Sequence, residues 1–480
     1  MTGQTRLSPL LASFAFVLLL LSLVGCAEKE DTPTYHVCDP ALVATGRTVE
    51  CATLTVPENW AQPGGNSVIL ELVIVRAVAP MSGLPPVIYL HGGPGGSVLE
   101  DLAEALNSPI GKELVAQDQD WIFFDQRGTG KAIPRLDCGP VVLNDSGPAS
   151  EAEVGKLIEC GEMFQKKGID LGQYHSRNVA LDIQEIRKAV GAKQFDLYGL
   201  SYGTRVAATT LLHQPQGLRA IVYDSPWPPE AKWTEPGPAW VSREARELLR
   251  FCERQPRCLA QFPNLEQKLE KTVRAWLESG NFDDREKARR LALFLTESVY
   301  DAARVENLPR DIDRITRGNL APLIAFEHSD AGYSDGLHMA VMCNEELPFE
   351  QSKRVLANGK GDQLAEAVAI TMSRYSEACP AFRPSVPPRS EQSPVRSDIP
   401  VLFMAAGIDA GCPAELSVDA VKRYRNGRLL LFPYTTHQLS LNNSCARQSA
   451  RKFLRDPEKF RRWVCADPKA KPPTFSKRKF

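Results

Sequence analysis

The segment that most constrains the fold is residues 193–215, KQFDLYGLSYGTRVAATTLLHQP. A short apolar run leads here into Gly199-Leu200-Ser201-Tyr202-Gly203, and a helix-like run, residues 204–213, follows. Strand, sharp turn and helix are the setting that the G-x-S-x-G nucleophile elbow requires. The turn strains the serine backbone, and side chains at the two glycine positions would collide with neighbouring backbone. The segment therefore predicts an elbow that exposes the Ser201 hydroxyl. A glycine-rich turn without catalytic function is the alternative.

The rest of the chain alternates short apolar runs, typical of strands, with helical patterns. Residues 178–190, just before the nucleophile strand, have apolar side chains at helical spacing. Strands that alternate with helices indicate a mostly parallel sheet covered on both faces, and with the elbow they predict an α/β-hydrolase fold. Besides the nucleophile strand, the predicted strands are 53–56, 68–75, 86–90, 120–125, 218–223, 399–406 and 428–432.

From about residue 230 to residue 392 the pattern is mostly helical. Apolar residues every three to four positions predict helices at 241–250, 265–277 and 285–305. We interpret this region as a helical cap inserted into the hydrolase core and ended by a proline-rich linker. The predicted segments are a signal peptide (1–25), a tether (26–35), the first part of the core (36–228), the cap (229–392), the second part of the core (393–467) and a basic tail (468–480).

A catalytic triad can be assembled from the order of the chain. An α/β-hydrolase places serine, acid and histidine in this order, each at the end of a strand. Asp409 follows the predicted strand 399–406, and His437, the last histidine, follows the strand 428–432. We predict that His437 takes the proton of Ser201 during attack on a carbonyl, while Asp409 fixes the imidazole tautomer. This chemistry needs no metal and no cofactor.

A glycine-rich segment, His91-Gly92-Gly93-Pro94-Gly95-Gly96-Ser97, follows the strand 86–90. So many glycines let the backbone approach another group closely. In acyl transfer that group is the oxyanion, which main-chain N–H groups stabilise. The N–H groups of Gly93 and Tyr202 are the predicted oxyanion hole, with Gly92 or Gly95 as alternatives to Gly93. A flexible loop is the other interpretation.

Three further polar residues adjoin these strand ends. His91 is predicted to be structural rather than catalytic. Asp125 ends the strand 120–125 and Arg127 lies just after it, and we expect a structural ion pair or a turn lock near the site, with a catalytic role as the alternative.

Three motifs together resemble one branch of the α/β-hydrolases. They are the segment 91–96, the sequence Asp125-Gln126-Arg127-Gly128-Thr129-Gly130 and the elbow 199–203. This combination is similar to the proline iminopeptidase and tripeptidyl aminopeptidase branch of serine peptidases, over most of residues 50–465. The resemblance implies removal of amino-terminal residues from peptides. This chain differs from the branch in Thr436 before the histidine and in Gly411-Cys412-Pro413 after the acid.

The resemblance also implies a site for the substrate's free α-ammonium. Members of the branch bind it through acidic cap residues, and Met342-Cys343-Asn344-Glu345-Glu346 is similar to the corresponding cap segment. Glu345, together with Glu346, is therefore the predicted ligand of the ammonium. A solvated acidic pair before Pro348 is the alternative.

The N-terminus predicts export. Residues 10–24 are almost uninterruptedly apolar, short for a membrane span and typical of a signal-peptide core. The run ends in Leu23-Val24-Gly25-Cys26, which resembles a bacterial lipobox, so Cys26 is the predicted lipidation site. Several acyl chains on one cysteine would hold the protein at a membrane surface. Plain secretion and an uncleaved anchor are the alternatives to an extracytoplasmic lipoprotein.

Twelve cysteines fit an oxidising compartment. The pairs predicted from proximity are Cys38–Cys51, Cys138–Cys160, Cys252–Cys258, Cys343–Cys379 and Cys445–Cys465, which leaves Cys412. A metal site is disfavoured because no C-x-x-C pair occurs and the seven histidines are scattered. The formal net charge of −1 gives no basic field for nucleic acid.

The sequence thus predicts a membrane-tethered serine exopeptidase that acts on peptides with a free N-terminus. A carboxylesterase or lipase is the near alternative because the same triad cleaves esters. A catalytically inactive binding lipoprotein is the alternative of another class, disfavoured by the intact Ser201, Asp409 and His437.

Overall fold

The computed structural model describes residues 32–115, 117–138, 151–298, 300, 302–324, 332–385 and 387–461. The predicted signal peptide, the lipidation site Cys26, most of the tether, Cys465 and the basic tail lie outside these residues. Within them, no helix has both the length and the apolar character needed to cross a bilayer.

The described strands form one nine-stranded sheet in the order β1-β2-β3-β5-β4-β6-β7-β8-β9. The pairs β1–β2, β2–β3 and β3–β5 are antiparallel, and all other neighbours are parallel. The mostly parallel sheet of the prediction is therefore confirmed. The strands are β1 Thr34–His36, β2 Val49–Pro57, β3 Ser67–Val75, β4 Val87–Leu90, β5 Trp121–Phe124, β6 Phe195–Leu200, β7 Leu218–Asp224, β8 Val401–Ile408 and β9 Gly427–Thr436.

Helices cover both faces of this sheet, which is why its central strands are buried and mostly apolar. Successive residues of β6 point to opposite faces: Leu197 joins a core cluster with Ile183 and Val206, whereas Tyr198 joins another with Phe453. The helices before β7 are α1 Pro40–Val43, α2 Leu102–Asn107, α3 Pro109–Leu114, α4 Glu151–Lys166, α5 Ser176–Ala189 and α6 Tyr202–His213. The helices that follow β8 in the chain are α17 Ala414–Ala420, α18 Leu439–Asn442 and α19 Ser444–Arg455.

The chain between β7 and β8 is helical, as its pattern predicts. Most of these helices share an apolar cluster, which Ile408 of β8 and Ala410 join, whereas Leu337 and Phe382 belong to the same cluster as Leu197. They are α7 Gly237–Glu253, α8 Pro256–Gln261, α9 Leu265–Ser279, α10 Phe282–Ser298, α11 Ala302–Thr316, α12 Ala321–Ile324, α13 Asp335–Val341, α14 Ser352–Gly359, α15 Gln363–Met372 and α16 Cys379–Phe382. A π-helical turn, Met342–Glu346, extends α13.

The prediction of a single helix at residues 285–305 is wrong, because α10 ends at Ser298 and α11 begins at Ala302. The break places Tyr300 in a turn whose N–H donates to the carbonyl of Glu297. From this turn the Tyr300 ring packs edge-on against the ring of His437, with centroids 4.7 Å apart. The helix is thus interrupted at the residue whose ring contacts His437.

Four of the five predicted disulfides are present: Cys38–Cys51, Cys138–Cys160, Cys252–Cys258 and Cys343–Cys379. The fifth involves Cys465, outside the described residues. Among the described residues Cys412 is free, as predicted, and it is buried. Disulfides persist in oxidising compartments, so the protein is extracytoplasmic.

Candidate active site

The elbow has the strained geometry that its glycines predict. Ser201 lies between the end of β6 and the first residue of α6, with φ 54° and ψ −122°. A Cβ at Gly199 would lie 2.6 Å from the carbonyl oxygen of Gly203, and a Cβ at Gly203 would overlap the carbonyl oxygen of Leu90. No side chain fits at either position, so the sharp turn at Ser201 is confirmed.

Asp409 and His437 meet at the carboxyl ends of β8 and β9. The Nδ1 atom of His437 lies 2.7 Å from Oδ2 of Asp409, and both side chains are buried. The other carboxylate oxygen, Oδ1, accepts the N–H groups of Gly411 at 3.0 Å and Cys412 at 2.8 Å. The loop in which this chain differs from the resembled branch thus holds the acid in place. With one oxygen bound to backbone, the other is left for the imidazole.

Ser201 and His437 line the same cavity. Among the described residues, no hydrogen bond joins the Ser201 hydroxyl to the His437 ring; catalytic hydrogen bonds of this kind often form only when substrate binds. The buried thiol of Cys412 contacts Ser201 instead, and burial raises the pKa of this thiol well above its usual value. The three predicted catalytic residues are therefore brought to one site.

Sequence reasoning missed Asp224, which supports the turn after His437. Asp224 is the last residue of β7 and is fully buried. Its carboxylate accepts the N–H groups of Leu439 at 2.9 Å and Ser440 at 2.8 Å, and its carbonyl accepts the N–H of Ser201 at 2.8 Å. It therefore holds both the nucleophile and the histidine segment. The sequence signal that could have identified it is a carboxylate at the end of an apolar strand.

The glycine-rich segment 91–97 packs against the nucleophile. A Cβ at Gly92 would lie 2.9 Å from Cβ of Ser201, and Gly93, with φ 122°, precedes a cis peptide to Pro94. The backbone of this segment therefore approaches Ser201 as closely as predicted. Tyr202 is the first residue of α6, so its N–H has no partner within the helix. The assignment of Gly93 and Tyr202 to an oxyanion hole stays a prediction.

Asp125 holds the glycine-rich segment 91–97 in place through hydrogen bonds. Its carboxylate accepts hydrogen bonds from the Ser97 hydroxyl at 3.0 Å, from the N–H of Val98 at 2.8 Å and from the N–H of Lys131 at 2.8 Å. The predicted turn lock is thus confirmed. Its predicted partner is not Arg127, however, which forms a fully buried ion pair with Asp182.

The cavity beside Ser201 has a volume of about 220 Å³ and mostly apolar walls. Its charged lining residues are two carboxylates, Glu297 and Asp335; no lysine or arginine of the described chain lines it. The apolar and aromatic lining comes chiefly from the chain between β7 and β8: Trp227, Trp233, Leu293, Tyr300, Tyr333, Met342, Val368, Met372 and Tyr375. Two acidic side chains thus lie among the otherwise largely apolar walls that the described residues give this cavity.

Glu345 and Glu346, the predicted ammonium ligands, are not among the residues that line this cavity. Both are buried, and both contact Arg205 of α6: Nε of Arg205 lies 3.1 Å from Glu345, and Nη1 lies 2.6 Å from Glu346. They are not a solvated pair either. Their predicted role as substrate ligands stays a prediction, but the structure places them in an ion cluster beneath the elbow helix.

Two family models match the chain. Residues 85–260 match the model described as alpha/beta hydrolase fold, and residues 365–464 match the model described as TAP-like protein. Tripeptidyl aminopeptidase of Streptomyces lividans is 32% identical over 188 residues, which make up 37% of this chain and 35% of that protein. Serine protease Hip1 of Mycobacterium tuberculosis is 28% identical over 193 residues, 38% of this chain and 36% of that protein.

A third relative carries the name of an esterase. Carboxylesterase B of Mycobacterium tuberculosis is 34% identical over 92 residues, 19% of this chain and 17% of that protein. The matched part of the chain therefore spans at most 36% of the length of each of these three relatives.

Proposed function

We propose that this chain, which has the α/β-hydrolase fold, is a serine aminopeptidase that removes amino-terminal residues, proline or a short peptide, from peptides. The observation that carries the proposal is the arrangement of nucleophile and base: Ser201 at the elbow lines the same cavity as His437, whose Nδ1 faces Asp409 at 2.7 Å. Glu297 and Asp335 also line this cavity, and a carboxylate attracts the ammonium group of a peptide's N-terminus. The relatives named tripeptidyl aminopeptidase and serine protease support the same activity.

The mechanism begins with proton transfer. Nε2 of His437 accepts the proton of the Ser201 hydroxyl while the serine oxygen bonds to the peptide carbonyl carbon. The imidazolium that forms is stabilised by Asp409, which already faces Nδ1 at 2.7 Å. The N–H groups of Tyr202 and of Gly93, or of its neighbour Gly92, receive the negative charge on the carbonyl oxygen.

The second half of the reaction releases the products. His437 gives its proton to the leaving amine as the carbon–nitrogen bond breaks, which leaves an acyl-enzyme on Ser201. Water then attacks this ester with His437 as base again. The proton returns to Ser201, and the amino-terminal fragment leaves as a carboxylic acid.

The organisation of the chain fits this activity. We propose that residues 229–392 form the cap over the core segments 36–228 and 393–467, since the cavity walls come largely from this region. A cap of aromatic and apolar residues selects the substrate that reaches Ser201. We also propose that Cys26 carries a lipid that tethers the enzyme to a bacterial membrane on its extracytoplasmic side. Acylation lost in Cys26→Ser would support this proposal, and acylation retained would contradict it.

The test of the activity compares free and acetylated substrates. The purified protein is assayed on p-nitroanilides of proline, alanine and tripeptides, each with a free or an acetylated N-terminus, with Ser201→Ala as background. Loss of a desolvated charge pair costs about 2–5 kcal/mol, so acetylation should lower cleavage about 30-fold to 4,000-fold. Equal cleavage of both forms would contradict an aminopeptidase.

Variants of the cavity carboxylates sharpen the test. Glu297→Gln and Asp335→Asn should raise KM for free-amine anilides and leave acetylated substrates unaffected. Glu377→Gln is a matched control because Glu377 is exposed on the surface and pairs with Arg374. If neither cavity variant changes the preference for a free amine, these carboxylates do not bind it.

A carboxylesterase is the second candidate, favoured by the apolar walls of the cavity and by the relative named carboxylesterase B. The same triad cleaves esters. Turnover of p-nitrophenyl acetate and butyrate without cleavage of any anilide would establish this function and remove the aminopeptidase.

A further inference from the structure

We propose that Glu345 is a positioning residue for the oxyanion hole, acting on Tyr202 directly and through Arg205, and not a ligand of the substrate. The inference rests on the proposed function, since Tyr202 supplies one of the two oxyanion N–H groups in that mechanism. It concerns every carbonyl substrate, whether amide or ester.

Three contacts occupy the Glu345 carboxylate. Oε1 accepts the backbone N–H of Ser176, the first residue of α5. Oε2 accepts the Tyr202 hydroxyl at 3.3 Å and lies 3.1 Å from Nε of Arg205. Glu345, Tyr202 and Arg205 are all at most 3% exposed. A substrate ammonium would therefore compete with these partners for a buried carboxylate.

Two of these partners lie on the first turn of the nucleophile helix. Tyr202 and Arg205 are three positions apart in α6, so their side chains project from the same face of the helix. Glu345 binds both, and it lies in the π-helical turn Met342–Glu346 rather than in the core. It therefore fixes the orientation of the turn that begins immediately after Ser201. The N–H of Tyr202 belongs to this turn.

The segment that contains Glu345 is held in place by a disulfide and by hydrogen bonds. The neighbouring Cys343 is bonded to Cys379, and the Asn344 side chain donates to the carbonyl of Leu171 at 3.1 Å and accepts the N–H of Ser385 at 2.7 Å. The Gln392 amide donates to the carbonyl of Glu345. A segment tied at four points can serve as a rigid support for another element. A mobile substrate clamp would not need these ties.

Arg205 joins two buried carboxylates. Its Nη1 lies 2.6 Å from Glu346 and its Nε lies 3.1 Å from Glu345, and burial raises the pKa of Glu346 well above its usual value. Of the two, Glu345 is the one that also accepts the Tyr202 hydroxyl. Replacing Glu345 by glutamine keeps the shape of the side chain but removes a buried carboxylate that faces the guanidinium.

The experiment measures kcat and KM of Glu345→Gln and Tyr202→Phe on p-nitrophenyl acetate and on a free-amine p-nitroanilide. Loss of a whole oxyanion donor costs about 100-fold to 1,000-fold in kcat, so a misplaced donor should cost about 10-fold to 100-fold. We expect kcat to fall by this factor on both substrates, with KM unchanged. Tyr202→Phe should lower kcat several-fold. In the double variant with Glu345→Gln, the change Tyr202→Phe should lower kcat by a smaller factor than it does alone, because both changes break the same contact.

Glu377→Gln, the same change at an exposed position, is the matched control and should leave kcat unchanged. Labelling of Ser201 by a fluorophosphonate verifies that each variant is folded and reactive. A loss confined to the free-amine anilide, with KM raised and the ester unaffected, would overturn the proposal in favour of ammonium binding. An unchanged kcat in Tyr202→Phe would also overturn it, even if Glu345→Gln failed to fold. If the wild-type enzyme cleaves only esters, the proposed aminopeptidase fails, while the ester assay still tests Glu345.

Discussion

Asp409→Asn tests whether the orientation of His437 depends on one carboxylate oxygen. Oδ1 of Asp409 accepts two backbone N–H groups, from Gly411 and Cys412, so the oxygen of the introduced amide must stay on that side. The amide nitrogen then replaces Oδ2 and faces Nδ1 of His437, which lies 2.7 Å away in the native protein. Because an amide NH₂ only donates, Nδ1 must become the acceptor and the ring proton moves to Nε2.

This tautomer cannot take the proton of Ser201, since the nitrogen that faces the cavity already carries one. The same exchange in a serine protease triad lowers kcat about 10,000-fold, which corresponds to about 5.5 kcal/mol of transition-state stabilisation. We expect a loss of this size in Asp409→Asn, measured by steady-state kcat at pH 7–8 on the best substrate. Because shape and hydrogen bonding to the loop are kept, the midpoint of thermal unfolding should change little.

The matched control is Asp419→Asn, the same exchange at an exposed residue that pairs with Lys422. It should retain full activity. A loss of less than about 100-fold in Asp409→Asn, with unfolding unchanged, would refute the reasoning, since a wrong tautomer costs far more than this. In that case another group, rather than Asp409, orients His437.

Three further predictions follow from the same site and its surroundings. Ser201→Ala should lower kcat about a million-fold; substantial residual turnover would exclude Ser201 as nucleophile. Burial lowers the pKa of His175 to about 4, so the folded protein binds fewer protons than the unfolded chain between pH 6.5 and 4. Stability should therefore fall by up to about 3 kcal/mol as the pH drops through this window, and less in His175→Asn, by urea unfolding; equal losses in both proteins would contradict it. Burial raises the pKa of the Cys412 thiol, so a disulfide reagent should label it slowly at pH 8 in the native protein and rapidly after unfolding; fast native labelling would contradict it.

Features that depend on local backbone chemistry could be predicted from the sequence. The turn at Ser201 requires small residues two positions before and two positions after the serine, so five consecutive residues are enough to identify the elbow. Asp409 and His437 were placed by chain order and by the strand that precedes each of them, and the structure brings them to 2.7 Å. The disulfide Cys343–Cys379 was inferred from proximity alone and is present.

Features that depend on contacts between distant segments could not be predicted. Glu345 is 169 positions from Ser176 and 143 from Tyr202, and no periodicity within one segment encodes such a pairing. Arg205 is a charged residue, yet it is buried, and two carboxylates from another segment contact it. Tyr300 interrupts a run with helical spacing because its ring packs against His437. In each case tertiary packing overrides what the local sequence favours.

These distant contacts share one feature: in each of them, residues 229–392 contact a part of the site that lies in the core segments. Tyr300 packs against His437, and Glu345 holds Tyr202 at the start of the nucleophile helix. Beside Ser201, the carbonyl of Gly95 accepts the N–H of Ser334 at 2.9 Å, which ties the glycine-rich segment 91–97 to the same region. A lid that only excluded large substrates would need none of these bonds. We therefore propose two roles for the cap, since it would select the substrate and also hold His437, the glycine-rich segment 91–97 and the elbow helix in place.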